Sequence, residues 1–189
     1  DGYNDLLVGA RTADGGGEDA GAAYLVLAPV AGTVDLSTSY AIFYGENPGD
    51  ELGYGGSVST AGDVNGDGYE DIVMGARNHA VTYDFQGAAY LVLGPVSGGV
   101  FDLSSAHAKM VGGAERDFAG DVVHGPGDLN AGGFDDLLVS SGYADGGAAD
   151  GGAAYMVLGP VSGTSSLADA SARILASTAG DRIRVHGAG

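Results

Sequence analysis

The residues best able to do chemistry in this chain form one phrase, Asp63-Val64-Asn65-Gly66-Asp67-Gly68-Tyr69-Glu70-Asp71. Oxygen-bearing side chains stand at loop positions 1, 3, 5 and 9, and a glycine stands at position 6. Calcium takes roughly 6–8 oxygen ligands from a backbone that curls tightly around the ion. Alternate side chains of such a loop point inward together, and Gly68 permits the sharp turn. The spacing therefore predicts a calcium loop with Asp63, Asn65, Asp67 and Asp71 as ligands, the Tyr69 carbonyl at position 7, and water filling what remains. An Asx-rich turn without a metal is the competing reading of the same residues. An EF-hand is excluded, because its bidentate glutamate at position 12 is here Met74, and a strand-like apolar run follows where a helix should start.

Two further stretches repeat the phrase with losses. Asp128-Leu129-Asn130-Ala131-Gly132-Gly133-Phe134-Asp135-Asp136 has Gly132 at position 5, so one carboxylate is missing. Asp128, Asn130, the Phe134 carbonyl and Asp136 are predicted to form a weaker site. The chain opens at Asp1, the equivalent of Asp67, so Asp1 and Asp5 amount to half a site.

The elements that position these loops come from a repeat. Gly2-Tyr3-Asn4-Asp5-Leu6-Leu7-Val8-Gly9-Ala10 returns as Gly68-Tyr69-Glu70-Asp71-Ile72-Val73-Met74-Gly75-Ala76, and again from Gly133 to Val139. A second marker, Gly-Ala-Ala-Tyr, ends at Tyr24, Tyr90 and Tyr155, spaced by 66 and 65 residues. The period divides one continuous repeat domain into residues 1–65, 66–131 and 132–189. Each repeat holds short apolar runs bounded by Gly, Pro and Asp, which read as strands rather than helices. Further short strands are expected at 40–44 and 108–111, and before each acidic loop at 56–59 and 121–124. About four strands in about 65 residues is the content of one propeller blade. The runs Ile72-Val73-Met74 and Leu91-Val92-Leu93 are apolar on both sides, as in sheets covered on both faces. Solenoid repeats are shorter, usually about 20–45 residues. The fold class predicted is all-β, with three blade-equivalents of about four antiparallel strands each.

Composition narrows the function. The chain has 7 Lys and Arg against 25 Asp and Glu, a formal net charge of −18. That charge opposes binding to nucleic acid or anionic lipid and favours cations. With no cysteine, the chain can form no disulfide, so an extracellular protein of this kind would need another staple, and calcium serves. No apolar run approaches the roughly 18 residues of a membrane helix.

The phrase from Asp63 to Ala76, with aromatic-glycine segments before it, resembles FG-GAP repeats, the blades of the integrin α-subunit propeller and of many secreted bacterial proteins. The resemblance covers essentially the whole chain. It implies a calcium loop joining the first two strands of a blade, with Asp63, Asn65, Asp67, Tyr69 and Asp71 as the matching ligands. The Phe-Gly element is degraded here, to Leu52-Gly53-Tyr54-Gly55 and Phe118-Ala119-Gly120, with no counterpart near Arg182 to Val185.

Nothing in the chain reads as catalytic. The four histidines, His79, His107, His124 and His186, show no zinc-ligand spacing. There is no G-x-S-x-G elbow and no phosphate-binding loop. Most carboxylates fall in the acidic loops or in Gly-rich turns such as Asp14 to Asp19, leaving no clear glycosidase pair. The segment Tyr83-Asp84-Phe85 departs from its counterparts and is the best candidate for a specific contact. Two functions stay open. One is an adhesive propeller face, secreted or on the cell surface, that takes a protein or glycan ligand. The other is a structural building block of a self-assembling extracellular fibre or array, in which the partners are further copies of the chain. Three blades are fewer than a closed ring needs. Either a longer array is expected or copies complete one another, residues 183–186 then pairing beside 6–8 of another copy.

Overall fold

The structure, a computed structural model, describes residues 2–185; Asp1 and residues 186–189, with His186 and the expected pairing at 186, lie outside them. Thirteen strands are described: β1 (Leu6–Ala10), β2 (Ala22–Val26), β3 (Ala41–Tyr44), β4 (Val58–Gly62), β5 (Asp71–Ala76), β6 (Ala88–Val92), β7 (Gly99–Asp102), β8 (Ala108–Val111), β9 (Ala119–Gly127), β10 (Asp136–Ser141), β11 (Ala153–Val157), β12 (Gly163–Ser166) and β13 (Ala172–Leu175). They form three sheets in the orders β1-β2-β3-β7, β4-β5-β6-β8-β12 and β9-β10-β11-β13. The protein is all-β, built of three propeller-type blades. The apolar runs form the middle strands, and the acidic phrases are the β4–β5 and β9–β10 connections.

The antiparallel core of each sheet keeps one register. Tyr24 faces Val8, Tyr90 faces Met74 and Tyr155 faces Val139. The expected strands at 40–44 and 108–111 appear as the third members, paired with β2 and β6. One feature was not expected. After β6 the chain crosses back to the first sheet, and β7 pairs parallel with β3, Phe101 opposite Phe43. β12 does the same to β8 of the second sheet. Each of these two sheets is therefore closed on its outer edge by a strand from the following repeat.

The core lies between sheets rather than within one. One cluster of buried residues joins Phe43, Ala41 and Ala23 of the first sheet to Met74, Ile72 and Tyr90 of the second. Another joins Val73, Leu91 and Met110 of the second sheet to Leu137, Val139 and Tyr155 of the third. Small residues let the sheets approach. A Cβ on Gly75 would sit 2.0 Å from the Gly120 carbonyl oxygen, so only glycine fits that crossing. A short 3₁₀ turn follows each crossing strand, and its first residue, Leu103 or Leu167, is fully buried in the inter-sheet core.

Phe43 is fully buried and stacks on Phe101 with ring centroids 5.3 Å apart, so it ties the first sheet to a strand of the second repeat. Phe43→Ala is expected to lower stability by about 3–5 kcal/mol. Urea unfolding of the full chain checks this, and a loss under about 1 kcal/mol would mean that the crossing strand contributes little.

Candidate metal centre

The first acidic loop starts where β4 ends and finishes at the first residue of β5, so the hairpin sets its span. Asp63 holds the loop by its backbone: its Oδ1 accepts from the N–H groups of Gly66 and Asp67 at 2.8 and 2.9 Å, and its Oδ2 from Gly68 at 2.8 Å. Gly66 and Gly68 take φ of +76° and +88°, a left-handed conformation that glycine adopts without strain. Asn65 Nδ2 donates to Asp67 Oδ2 at 2.8 Å, and Asp67 Oδ1 accepts from the Tyr69 N–H at 2.9 Å. Asp71, at the foot of the loop, is fully buried. Its two oxygens accept from Val64 N–H at 2.9 Å and from Gly94 N–H at 2.8 Å, which pins the loop to the turn after β6.

Burial pushes the Asp71 carboxyl up, its hydrogen bonds lower it, and the charges of Asp67 and Asp63 push it up further. The charges of Asp67 and Asp63 thus bear on Asp71, and hard oxygens of this kind are the donor chemistry a calcium ion accepts. Among the described residues, however, no three His, Cys, Asp or Glu side chains are assembled as a ready metal cage. The reason is local. Asp63 faces the loop's own N–H groups, and the Asn65 amide lies against Asp67 where a cation would otherwise neutralise it. Tyr69 stands half exposed.

The second loop differs where its sequence does. Asp128 repeats the Asp63 pattern, accepting from Asn130, Gly132 and Gly133 N–H groups. The Gly133 N–H above all, and with it the Gly132, Asn130 and Ala131 N–H groups, holds its carboxyl below the usual range against the opposing effect of desolvation. With Gly132 in place of a carboxylate, Asn130 turns its Nδ2 onto both oxygens of the buried Asp136, at 3.0 and 3.1 Å. Asp136 also accepts from Leu129 and Gly159 N–H groups, matching Asp71. The Asn130 amide thus already bonds both Asp136 oxygens. In the first repeat Asp5 makes the corresponding bond to Ala28 N–H at 2.8 Å, while Asp1 is not described. Phe134 packs its ring against the first loop, 2.8 Å from where a Gly66 Cβ would stand.

Several residues that organise these loops carry no motif signal. Asp135 reaches across to the neighbouring repeat, its Oδ2 accepting from Asp63 N–H at 2.8 Å while its own N–H donates to the Asp63 carbonyl. Glu70 stands at the equivalent position of the first loop. At the opposite end of the strands lies a second polar constellation. His79 is buried with Nδ1 2.8 Å from Asp50 Oδ2, and the Tyr90 hydroxyl donates to Glu46 Oε2 at 3.0 Å. Lys109 pairs with the same Glu46 oxygen. These residues tie the first sheet to the second, and only their scatter along the chain hid them. At the same end Arg77 lies over the rings of Tyr54 and Phe118, 4.3 and 4.8 Å from their centroids. Phe85, from the segment singled out for a specific contact, stacks on Phe118 at 5.7 Å, while Tyr83 is half exposed.

Partial burial pushes the Glu46 carboxyl up, but the hydrogen bond and charge of Lys109, with the Tyr90 hydroxyl, outweigh this and hold it below the usual glutamate range. A carboxyl lowered by folding stabilises the fold above its unfolded value, about pH 4.5, and that contribution is lost as pH falls through the folded value. Glu46→Gln is therefore expected to lower stability at pH 7 and to flatten the acid limb of the stability–pH curve. Identical curves for the two proteins would show that the cluster adds nothing. Asp71→Ala is expected to strand two N–H groups at about 1–3 kcal/mol each, with or without calcium; urea unfolding in chelator measures it.

The family model described as FG-GAP repeat matches residues 54–92, which span β4, the first acidic loop, β5 and β6. Integrin alpha-5 of Xenopus laevis is 32% identical over 149 residues, covering 75% of this chain and 13% of the relative's own length. The chain therefore spans a small part of that relative. With a relative 32% identical over three quarters of its length and the repeat model matching within it, the chain belongs to the FG-GAP repeat family.

Proposed function

We propose that this chain is a calcium-stabilised, non-catalytic extracellular module, secreted or on the cell surface, whose blades present an adhesive face to a protein or glycan ligand. Asp63, Asn65, Asp67, Asp71 and the Tyr69 carbonyl would hold the ion, and Asp128, Asn130, Asp136 and the Phe134 carbonyl would hold a second, weaker one. When bound, calcium supplies charge neutralisation and a fixed loop; the chain's own residues set where the loop stands.

The observation that carries the reading is Asp71, a fully buried carboxylate pushed up by burial and by Asp67 and Asp63, at the base of a loop whose other donors are oxygens. Similarity to an integrin α-subunit supports adhesion and an extracellular setting. The excess of acidic residues favours cations over nucleic acid or anionic lipid. Among the described residues, no helix is long and apolar enough to cross a membrane.

The test is a calcium titration of chelator-treated protein, followed by thermal unfolding. Extracellular sites of this kind bind at about 10⁻⁴–10⁻³ M, so a ten-fold excess stabilises by about 1.4 kcal/mol per site. Asp67→Ala is expected to lose most of the rise in Tm with little change in the calcium-free protein. Asp128→Ala is expected to lose less, because the Asn130 amide already sits on Asp136. No response of the unsubstituted chain to millimolar calcium would reduce residues 63–71 to an acidic turn.

A further inference from the structure

The segment Tyr83-Asp84-Phe85, which departs from its counterparts in sequence, lies in the connection between β5 and β6. One bond fixes its place in the repeat: Gly87 N–H donates to the His79 carbonyl as Gly21 does to Ala13 and Gly152 to Ala144. The other two repeats build this connection from glycine, alanine and acids, at 15–19 and 146–150. Here it carries Val81, Tyr83 and Phe85, which are 60%, 49% and 42% exposed. Phe85 takes φ +53°, as its counterparts Asp19 and Asp150 take +53° and +47°. Aspartate is at ease in that left-handed region and a bulky ring is not. Neither the backbone nor burial calls for an aromatic residue at this position.

The loop nevertheless has a scaffold of its own. In the first and third repeats Asp14 and Asp145 accept from the N–H groups of Asp19 and Asp150, at 2.9 and 2.8 Å. In the second, the buried Gln86 holds the loop: its Oε1 accepts from Val81, Thr82 and Tyr83 N–H groups at 3.2, 2.8 and 2.9 Å, and its Nε2 donates to the Gly112 carbonyl at 3.0 Å. Ala20 and Gly151 stand at that position in the other repeats. Behind the loop the rings continue. Phe85 stacks on Phe118, and Phe118 meets Tyr143 with centroids 5.1 Å apart. Arg77 lies over Phe118 and Arg182 over Tyr143, 4.4 Å from its centroid. Arg116 N–H donates to the Asp84 carbonyl at 3.0 Å, which keeps an exposed guanidinium and an exposed carboxylate beside the rings.

We propose that this loop, with Phe118 and Tyr143 behind it, is a platform for a neutral glycan. A pyranose offers an apolar C–H face and a rim of hydroxyls that donate and accept at once. The exposed rings of Tyr83 and Phe85 suit the face. The Asp84 carboxylate and the Arg116 guanidinium suit the rim, one accepting and the other donating. A net charge of −18 opposes sulfated or sialylated glycans, and it opposes a second copy of the chain as well. The chain's own Arg77 and Arg182 already supply the cations that the rings of Phe118 and Tyr143 attract. Because Gln86 fixes the loop beforehand, little ordering cost remains on binding. The platform rests on the adhesive reading, narrows its ligand to one class and uses no residue of the acidic loops.

Binding of the full chain to immobilised ligands tests this, on a panel of neutral oligosaccharides, their sulfated and sialylated forms, and enzymatically deglycosylated extracellular-matrix proteins. Binding to at least one neutral oligosaccharide is expected, with no loss as the salt concentration is raised. Tyr83→Ala and Phe85→Asp should each weaken that binding by about ten-fold or more. Phe85→Asp puts aspartate where the other two repeats have it, and Tyr83 is exposed, so both variants are expected to fold; circular dichroism checks that the sheets are retained. Glu18→Ala, in the equivalent loop of the first repeat, should leave the affinity unchanged. Binding confined to the acidic glycans, or binding to neutral glycans that survives both substitutions, would overturn the platform and leave adhesion standing. So would binding to deglycosylated protein alone. A chain that binds nothing on the panel would overturn the adhesive reading along with the platform.

Discussion

The rest of this structure depends on the packing of one sheet's face against the next. A sheet of runs such as Ile72-Val73-Met74 has no polar side to give to water, so it is stable only between neighbours. The buried clusters accordingly lie between sheets, and they reach from the first to the second and from the second to the third. Close approach is what makes this possible. Ala23, Ala76, Ala88 and Ala153 are fully buried, and at Gly75 the backbones approach too closely for any side chain. A large residue at such a crossing would separate two sheets at once.

The crossing strands add a second kind of attachment. They convert packing between sheets into hydrogen bonding between them, since β7 and β12 belong by sequence to one repeat and by pairing to the one before. The acidic loops are joined in the same way, through Asp135 on the Asp63 backbone. Polar and apolar contacts therefore act together: the strands fix the distance between blades, and the loops and the His79–Asp50–Glu46–Lys109 cluster fix the two ends. Buried carboxylates such as Asp71 and Asp136 are tolerated because each accepts N–H groups that would otherwise lack partners.

Much of the fold was legible because it is local and repeated. Short continuous apolar runs, bounded by Gly, Pro and Asp, marked the middle strands, and the spacing of Tyr24, Tyr90 and Tyr155 aligned them. The acidic loops were legible for the same reason, since Asp63 and Asp71 are eight residues apart and cap one hairpin. What stayed hidden was non-local. Gly163-Thr164-Ser165-Ser166 carries no strand signal, yet it forms β12 because the open edge of β8 supplies its partners. His79, Glu46 and Lys109 come from three separate stretches and share no spacing. Asn130 gave no hint that its amide would turn onto Asp136, because that choice follows from the empty position left by Gly132.

By itself, then, the sequence determined the repeat, the strands that alternate with its turns and the placement of oxygen donors at the hairpin tips, because each of these follows from interactions within about a dozen neighbouring residues. Only the tertiary structure decided which sheet a crossing strand joins, which carboxylates are buried, and which apolar positions are left exposed. Those outcomes depend on surfaces brought together from residues some 60 positions apart, such as Phe43 and Phe101, and no local pattern encodes such a meeting.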